Sequence, residues 1–448
     1  MATIGVIGGG LAGITAALDL VDAGHQVVLL ESRARLGGLT HSFRRDGHWV
    51  DNGQHVFLRC CTSYQGLLQR LEVADLVQLQ PRLSITVRSG ETGRSTRMHR
   101  TELPPPLHLA GALWGHRWIP PLERVRAARV ALSLGKVDRE DPSTDEISFG
   151  TWLRQRHCSP RALETLWDLV GVATLNAHAD DASLALAATV FQLGLLGDKG
   201  GADIGWSTVP LQQLHGDAAL TALTAAGADV RTRSRVRALT HADETWQIEL
   251  DAQSLAVDQV VLAVPPDAAS RLVDAESLGI AGDFAARLGS SPIINVHVLL
   301  DRTVLHDAFV AAIDSPLQWV FDRTESSGLA QGQYLVISLS AADSLISQPV
   351  AKLRDLVLPE LLRLLPDMAA AEVCDFFVTR EPHATFRPAP GTAALRPGPH
   401  TALPHLAVAG AWTATGWPAT MEGAVRSGHS AAAALRRQAP ARRDEVAA

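Results

Sequence analysis

Apolar and polar positions along the chain change period several times, and each change predicts an element. Ile4 to Ile7 is a continuous apolar run of strand length. After the glycines at 8, 9, 10 and 13, apolar residues return at three- and four-residue spacing, which predicts an amphipathic helix. Gly24 stops that helix, residues 26 to 30 form a second strand, and Glu31 stands at its end. The runs LHLAGALWGHRWIPPLERVRAARVALSLG at 107 to 135 and PRALETLWDLVGVATLN at 160 to 176 keep helical spacing with basic residues interleaved, so the stretch from about 76 to 215 is expected to be mostly helical. SPIINVHVLLD at 291 to 301 and QYLVISLS at 333 to 340 predict strands of a sheet walling a cavity, and an apolar wall suits an apolar ligand. Near the end, LAVAGAWTATGWPATMEGAVRSGHSAA at 406 to 432 reads as a strand, a turn at Gly410 and a helix opening at Met421-Glu422-Gly423-Ala424.

Composition narrows the partners more than the fold. A chain of 448 residues with 46% hydrophobic and 19% charged residues buries a large core and divides into about two domains. A net charge of -7, with lysine confined to Lys136, Lys199 and Lys352, gives no basic field for nucleic acid. Four cysteines without regular spacing point to a reducing compartment, and Met1-Ala2-Thr3 runs straight into the first strand without a signal peptide, so a cytoplasmic protein is expected. The apolar stretch 182 to 197 is short for a membrane span and contains Thr189 and Gln192; it reads as a buried or lipid-touching helix. Leu113, Trp114 and Trp118 beside Arg117, Arg124 and Arg126 fit peripheral membrane contact and fit a core-facing helix pair equally well. Residues 441 to 448 are expected to be a flexible tail.

Chemistry concentrates in the first thirty residues. In Gly8-x-Gly10-x-x-Gly13, Gly8 allows the tight turn, Gly10 lets the backbone approach a pyrophosphate, and Gly13 lets the helix pack on the strand. The helix start at Leu11 and Ala12 meets the phosphate charge, and Glu31, 21 residues beyond Gly10, is placed to accept from ribose hydroxyls. These residues bind a dinucleotide and leave NAD and FAD open.

Glu31-Ser32-Arg33-Ala34-Arg35-Leu36-Gly37-Gly38 resembles the second motif of the flavin amine oxidase and carotenoid (phytoene) desaturase superfamily, which favours FAD. The resemblance implies that Gly37 and Gly38 pass close to the flavin and that Ser32 and Arg33 lie near the adenosine and diphosphate. DVRTRSRVRAL at 229 to 239, with WQIEL and DQVVLAVPP after it, is similar to the strand pair that brings a backbone valine, here Val236, against the adenine. The 406 to 432 segment resembles the last cofactor motif, with Gly410, Ala411, Met421, Glu422 and Ala424 at the flavin; free N–H groups at that helix start face the flavin's carbonyl edge. The superfamily has Arg where this chain has Leu39 and Asp where it has Ala411. Three separated motifs imply an α/β fold in which residues 1–75, 216–268 and 386–440 build a doubly wound, Rossmann-like FAD-binding domain. An amine-oxidase-like α+β substrate domain of 76–215 and 269–385 is interleaved with it.

The lysine that flavin amine oxidases carry after the LGS-type turn is absent from Leu288 to Asn295, and Thr420 replaces the aromatic before the Met-Glu-Gly helix, so amine oxidation is disfavoured. DNGQHVFLRCCTSYQGLLQRL and WTATGWPATMEGAVRSG resemble the hydroxysqualene dehydroxylases, squalene-associated FAD enzymes of hopanoid pathways. That resemblance implies replacement of the hydroxyl of a C30 allylic alcohol by hydride from reduced FAD, giving squalene. Oxidative desaturation of a polyprenyl chain of carotenoid type stays open. So does a non-catalytic flavoprotein scaffold for an upstream terpene synthase or the membrane. The leaving hydroxyl needs one acid in a dry site; His55, close to the flavin-lining Gly53 and Gln54, is the candidate, with a hydrogen-bonded role behind the residues that touch the ligand as its competitor. Phe57, Trp417 and Thr420 are candidate substrate contacts. Asp51 reads as a strand-end acid, and Cys60 and Cys61 as small buried hydrophobes. No spacing of His, Cys or acids calls for a metal.

Overall fold

The computed structural model describes residues 1–438; the expected tail at 441 to 448, and residues 439 and 440 of the expected cofactor domain, lie outside the described residues. Strand β1 (Thr3–Ile7), helix α1 (Leu11–Asp22) and strand β2 (Gln26–Leu30) form as the pattern predicts. β1 and β2 lie at the centre of a five-stranded parallel sheet in the order 229–231, β2, β1, 259–262, 406–408. Every strand there is short, and all but the edge strand 229–231 are largely apolar, as a parallel sheet covered on both faces requires. On one face, α1 packs against the last helix, Met421–Gln438, where Gly428 approaches so closely that a Cβ would stand 2.4 Å from Ala12 O. On the other face lies the antiparallel meander 236–242, 245–250 and 254–257.

A second, seven-stranded sheet has the order 373–385, 291–300, 333–339, 319–322, 309–313, 84–89, 95–99. One face is apolar through Ile294, Val296, Val298 and Ile337 and is covered by helix Val350–Leu364 through Leu353, Val357, Leu361 and Leu364. The first insertion thus departs from the mostly helical expectation, since residues 84–99 form a hairpin completing this sheet. Its two strands are only six and five residues long and too polar to stand out from loop.

The core also runs across the boundary expected at 268. Ala269, Val273, Phe284 and Leu288 pack with Ile7, Val260, Leu262 and Leu406, so the helices after Pro266 cover the parallel sheet. Leu214, Ala219 and Leu223 likewise pack with α1, which puts residues before 216 on the same body. No described helix is long and apolar enough to cross a membrane.

Candidate functional site

The β1–α1 turn is shaped by contacts that leave no room for a side chain. A Cβ on Gly13 would stand 1.9 Å from Gly8 O, and Gly38, at φ +58°, faces Gly10 with its own Cβ position 2.9 Å from Gly10 Cα. Two glycine loops therefore touch, and Gly37 N–H donates to Gly9 O at 2.8 Å to fix them. Helix α1 has no acid in its first turn and no side-chain cap, so the N–H groups of Leu11, Ala12 and Gly13 point at a gap with no protein acceptor among the described residues. Glu31 is buried at the rim, accepting from Gly9 N–H (2.7 Å), Arg33 N–H (2.7 Å) and Ser32 Oγ (3.1 Å). Those contacts orient the carboxylate and leave it lone pairs for a hydroxyl. Arg233 and Ser234 donate to the carbonyls of Arg33 and Glu31, which brings the chain leading to Val236 alongside.

Arg33 is exposed, while Arg35 is half-buried and its pKa is lowered by burial and by Arg33. Neither guanidinium has a hydrogen-bond partner among the described residues. Together with the uncapped helix they leave positive potential unanswered where a diphosphate would run. The donor set thus fits FAD. Leu39, where an arginine was expected, is largely exposed.

Across the sheet, Gly410 N–H donates to Ser427 Oγ at 2.8 Å, and Ala411 begins a turn held by a residue the sequence reading missed. Arg396 is buried and donates to the carbonyls of Trp412, Thr413 and Trp417. Burial lowers its pKa to about 10, which leaves it charged near neutrality. Among the described residues the N–H groups of Met421 and Glu422 have no acceptor at that helix start, as expected for a flavin contact.

Four side chains in these segments make contacts within the protein. The Glu422 carboxylate is buried and accepts from the N–H groups of Ser63 (3.3 Å) and Tyr64 (2.8 Å) and from Arg426 Nε (2.6 Å), capping helix Thr62–Arg70. Thr420, expected at the substrate, caps its own helix through Gly423 N–H to Oγ1 at 3.1 Å. Phe57 and Trp417 are core. Phe57 lies on Gly205, whose Cβ would meet its ring at 2.3 Å, and Trp417 sits under the Arg426 guanidinium.

Around Gly53 the structure builds a polar corner. Asp51 is no simple strand-end acid: it pairs with the buried Arg323 (2.8 Å) and accepts from Ser42 Oγ (2.6 Å) and Leu211 N–H (3.1 Å). A small cavity beside this pair is lined by Asp51, Gly53, Gln54, His297, Arg323 and Tyr334. His297 bridges Tyr334 OH (2.7 Å) and Thr379 Oγ1 (2.9 Å), and burial lowers its pKa to about 3. His55 Nδ1 lies 2.9 Å from Gly53 O, and its pKa is lowered, chiefly by burial, against smaller raising effects of that bond and of Asp51. The ring is therefore neutral with its hydrogen on Nδ1, so the general-acid role expected for His55 would require a second proton that burial opposes. Gln54 N–H donates to Asn295 Oδ1, and Asn295 is a second residue missed; strand alternation puts it on the face opposite Ile294 and Val296.

An aromatic cluster packs on the other half of the sheet. Trp206, Phe309, Trp319 and Phe321 interlock, with Trp206 and Phe309 edge to face at 5.6 Å, and Leu58, Leu195 and Trp118 pack against them. Single aromatics scattered over distant segments gave no sequence signal. Cys60 and Cys61 are free thiols, Cys61 buried.

The family described as flavin containing amine oxidoreductase matches residues 11–436. The hydroxysqualene dehydroxylase of Sinorhizobium fredii is 27% identical over 460 residues, covering 95% of this chain and 96% of that protein. The 15-cis-phytoene desaturase of Solanum lycopersicum is 25% identical over 450 residues, covering 96% of this chain and 77% of that one. Among solved structures, a putrescine oxidase variant superposes with a TM-score of 0.73 at 18% identity over 97% of this chain and 99% of its own.

Proposed function

Because the chain belongs to the flavin-containing amine oxidoreductase family and is an FAD-dependent oxidoreductase, we propose that it acts on a polyprenyl alcohol, replacing the hydroxyl of hydroxysqualene with hydride to release squalene. The observation that carries this reading is the aromatic cluster of Trp206, Phe309, Trp319 and Phe321, whose half-buried Trp206 and Trp319 offer apolar area to an isoprenoid chain. The end-to-end likeness to a hydroxysqualene dehydroxylase supports the alcohol. Oxidative desaturation is the second reading, favoured by the phytoene desaturase match over 96% of the chain.

In this reading the first-turn N–H groups of α1, Arg33 and Arg35 take the diphosphate, Glu31 takes the ribose, and the N–H groups of Met421 and Glu422 take the flavin's carbonyl edge. Reduced FAD would supply the hydride and the proton with which the hydroxyl leaves as water. The protein binds the chain on the aromatic cluster, excludes bulk water, and holds the oxygen near His55, whose neutral Nε2 accepts a hydrogen bond and positions it. Anaerobic addition of hydroxysqualene to the reduced, FAD-loaded protein is expected to yield one squalene per flavin reoxidised, and His55→Ala to slow that step by roughly tenfold, the worth of one positioning hydrogen bond. A flavin that stays reduced without squalene, or an oxidised flavin that becomes reduced on adding a polyprenyl hydrocarbon, sinks the reading in favour of desaturation or a scaffold.

The same reading includes a lipid surface as the source of substrate. Leu103, Leu107, Trp114, Leu122, Val125 and Leu132 are all exposed, and in helix Pro121–Leu134 the apolar stripe runs beside exposed Arg126 and Arg129. An apolar stripe edged by arginines suits anionic headgroups. The paired substitution Trp114→Glu, Leu122→Glu is expected to weaken sedimentation with phosphatidylglycerol vesicles by about tenfold or more, at roughly 25 cal/mol per Å² of apolar surface withdrawn. Equal binding by the variant would remove this surface from consideration.

A further inference from the structure

Asn295 is fully buried in the strand Ser291–Leu300. Its Oδ1 accepts Gln54 N–H at 3.2 Å, which fixes the orientation of the amide. Nδ2 then carries two N–H groups, and it has no acceptor among the described residues. Burying such a donor unpaired is costly, so a retained one marks a place where something accepts from it. On the facing loop, His55 Nδ1 uses its hydrogen on Gly53 O, so Nε2 is an acceptor, and no hydrogen bond of the structure engages it. Both side chains flank Gly53: the position its Cβ would take is 3.4 Å from Asn295 Nδ2 and 3.4 Å from His55 Cε1, the carbon bonded to Nε2, and the glycine puts no side chain between them.

A donor and an acceptor flanking one gap suit a group that both accepts and donates. A hydroxyl does so; a carbonyl has no proton for Nε2, and a hydrocarbon offers neither function. We propose that Asn295 determines specificity for an alcohol, its Nδ2–H donating to the alcohol oxygen while His55 Nε2 accepts from the hydroxyl. The inference rests on the reading of the substrate as a polyprenyl alcohol, and adds the residue that tells it from the hydrocarbon product.

The test uses the oxidised, FAD-loaded protein, in which hydroxysqualene and squalene are titrated separately and followed by the visible flavin spectrum. Asn295→Asp keeps the acceptor for Gln54 N–H and removes the donor. It is expected to lower the preference for the alcohol over the hydrocarbon by roughly tenfold, the worth of one hydrogen bond left unmade, with squalene affinity and the starting spectrum unchanged. Asn295→Ser, which retains a hydroxyl donor, is expected to keep part of the preference and guards against a purely electrostatic effect of the new carboxyl. Full preference in both variants, or an equal loss for both ligands, overturns the role of Asn295. A wild-type protein that binds both ligands equally overturns the substrate reading itself, and the inference with it.

Discussion

The Gly13→Ala protein is expected to purify without FAD. A methyl at that position would stand 1.9 Å from Gly8 O, 3.1 Å from Gly8 C and 3.3 Å from Ala263 Cβ, and the first two are backbone atoms that cannot turn aside. Relief requires α1 to lift from β1, which carries the N–H groups of Leu11 and Ala12 away from the diphosphate. Overpacking of this kind costs roughly 1–3 kcal/mol, so FAD affinity should fall by about 10- to 100-fold or more. Flavin bound per protein after gel filtration measures it. Gly66→Ala is the matched control: in helix Thr62–Arg70 its Cβ meets nothing within 4 Å, and the change should stabilise by about 0.5–1 kcal/mol without touching the flavin. Equal flavin content in both variants would mean the Gly8–Gly13 contact does not set the site.

Arg323→Met is expected to have the largest effect on stability. The guanidinium holds Asp51 Oδ2 at 2.8 Å and Ser207 O at 2.9 Å, and both charged side chains are shielded from water, at 6% and 14% exposure. Removing one member leaves the other charge buried and unpaired, at a cost of roughly 3–5 kcal/mol. Because Asp51 opens the loop that carries Gly53, Gln54 and His55, the loss should also loosen that polar corner. The double replacement Arg323→Met, Asp51→Asn should recover a large part of the loss, since no uncompensated charge then remains. Urea denaturation of the wild type and the two variants measures both quantities. A single variant within about 0.5 kcal/mol of wild type, the range of ordinary surface changes, would refute the argument.

What the sequence discloses is set by how local each signal is. β1, α1, β2 and Glu31 occupy consecutive positions with a glycine spacing that has one physical purpose, so strand, helix, turn and carboxylate could be read together. The last helix was legible from its glycine, turn and apolar spacing for the same reason. That Arg35 is drawn further in than Arg33 could not be read, because two arginines two residues apart carry the same local pattern. Glu422 illustrates the same limit: at a helix start it has the chemistry of a cofactor ligand, and only the fold reveals a second helix waiting for a cap. Asn295, Arg396 and the aromatic cluster are assembled from segments far apart in the chain, where one polar or aromatic residue in a strand has no periodicity to betray it.

The cap that Glu422 places on Ser63 and Tyr64 joins positions 358 and 359 residues apart, and the last helix also lies directly on α1. During synthesis the β1–α1 turn is made hundreds of residues before its covering helix. At about 5–20 residues per second, the turn waits for a roof that the chain supplies only much later, so the helix pair cannot close as a local unit.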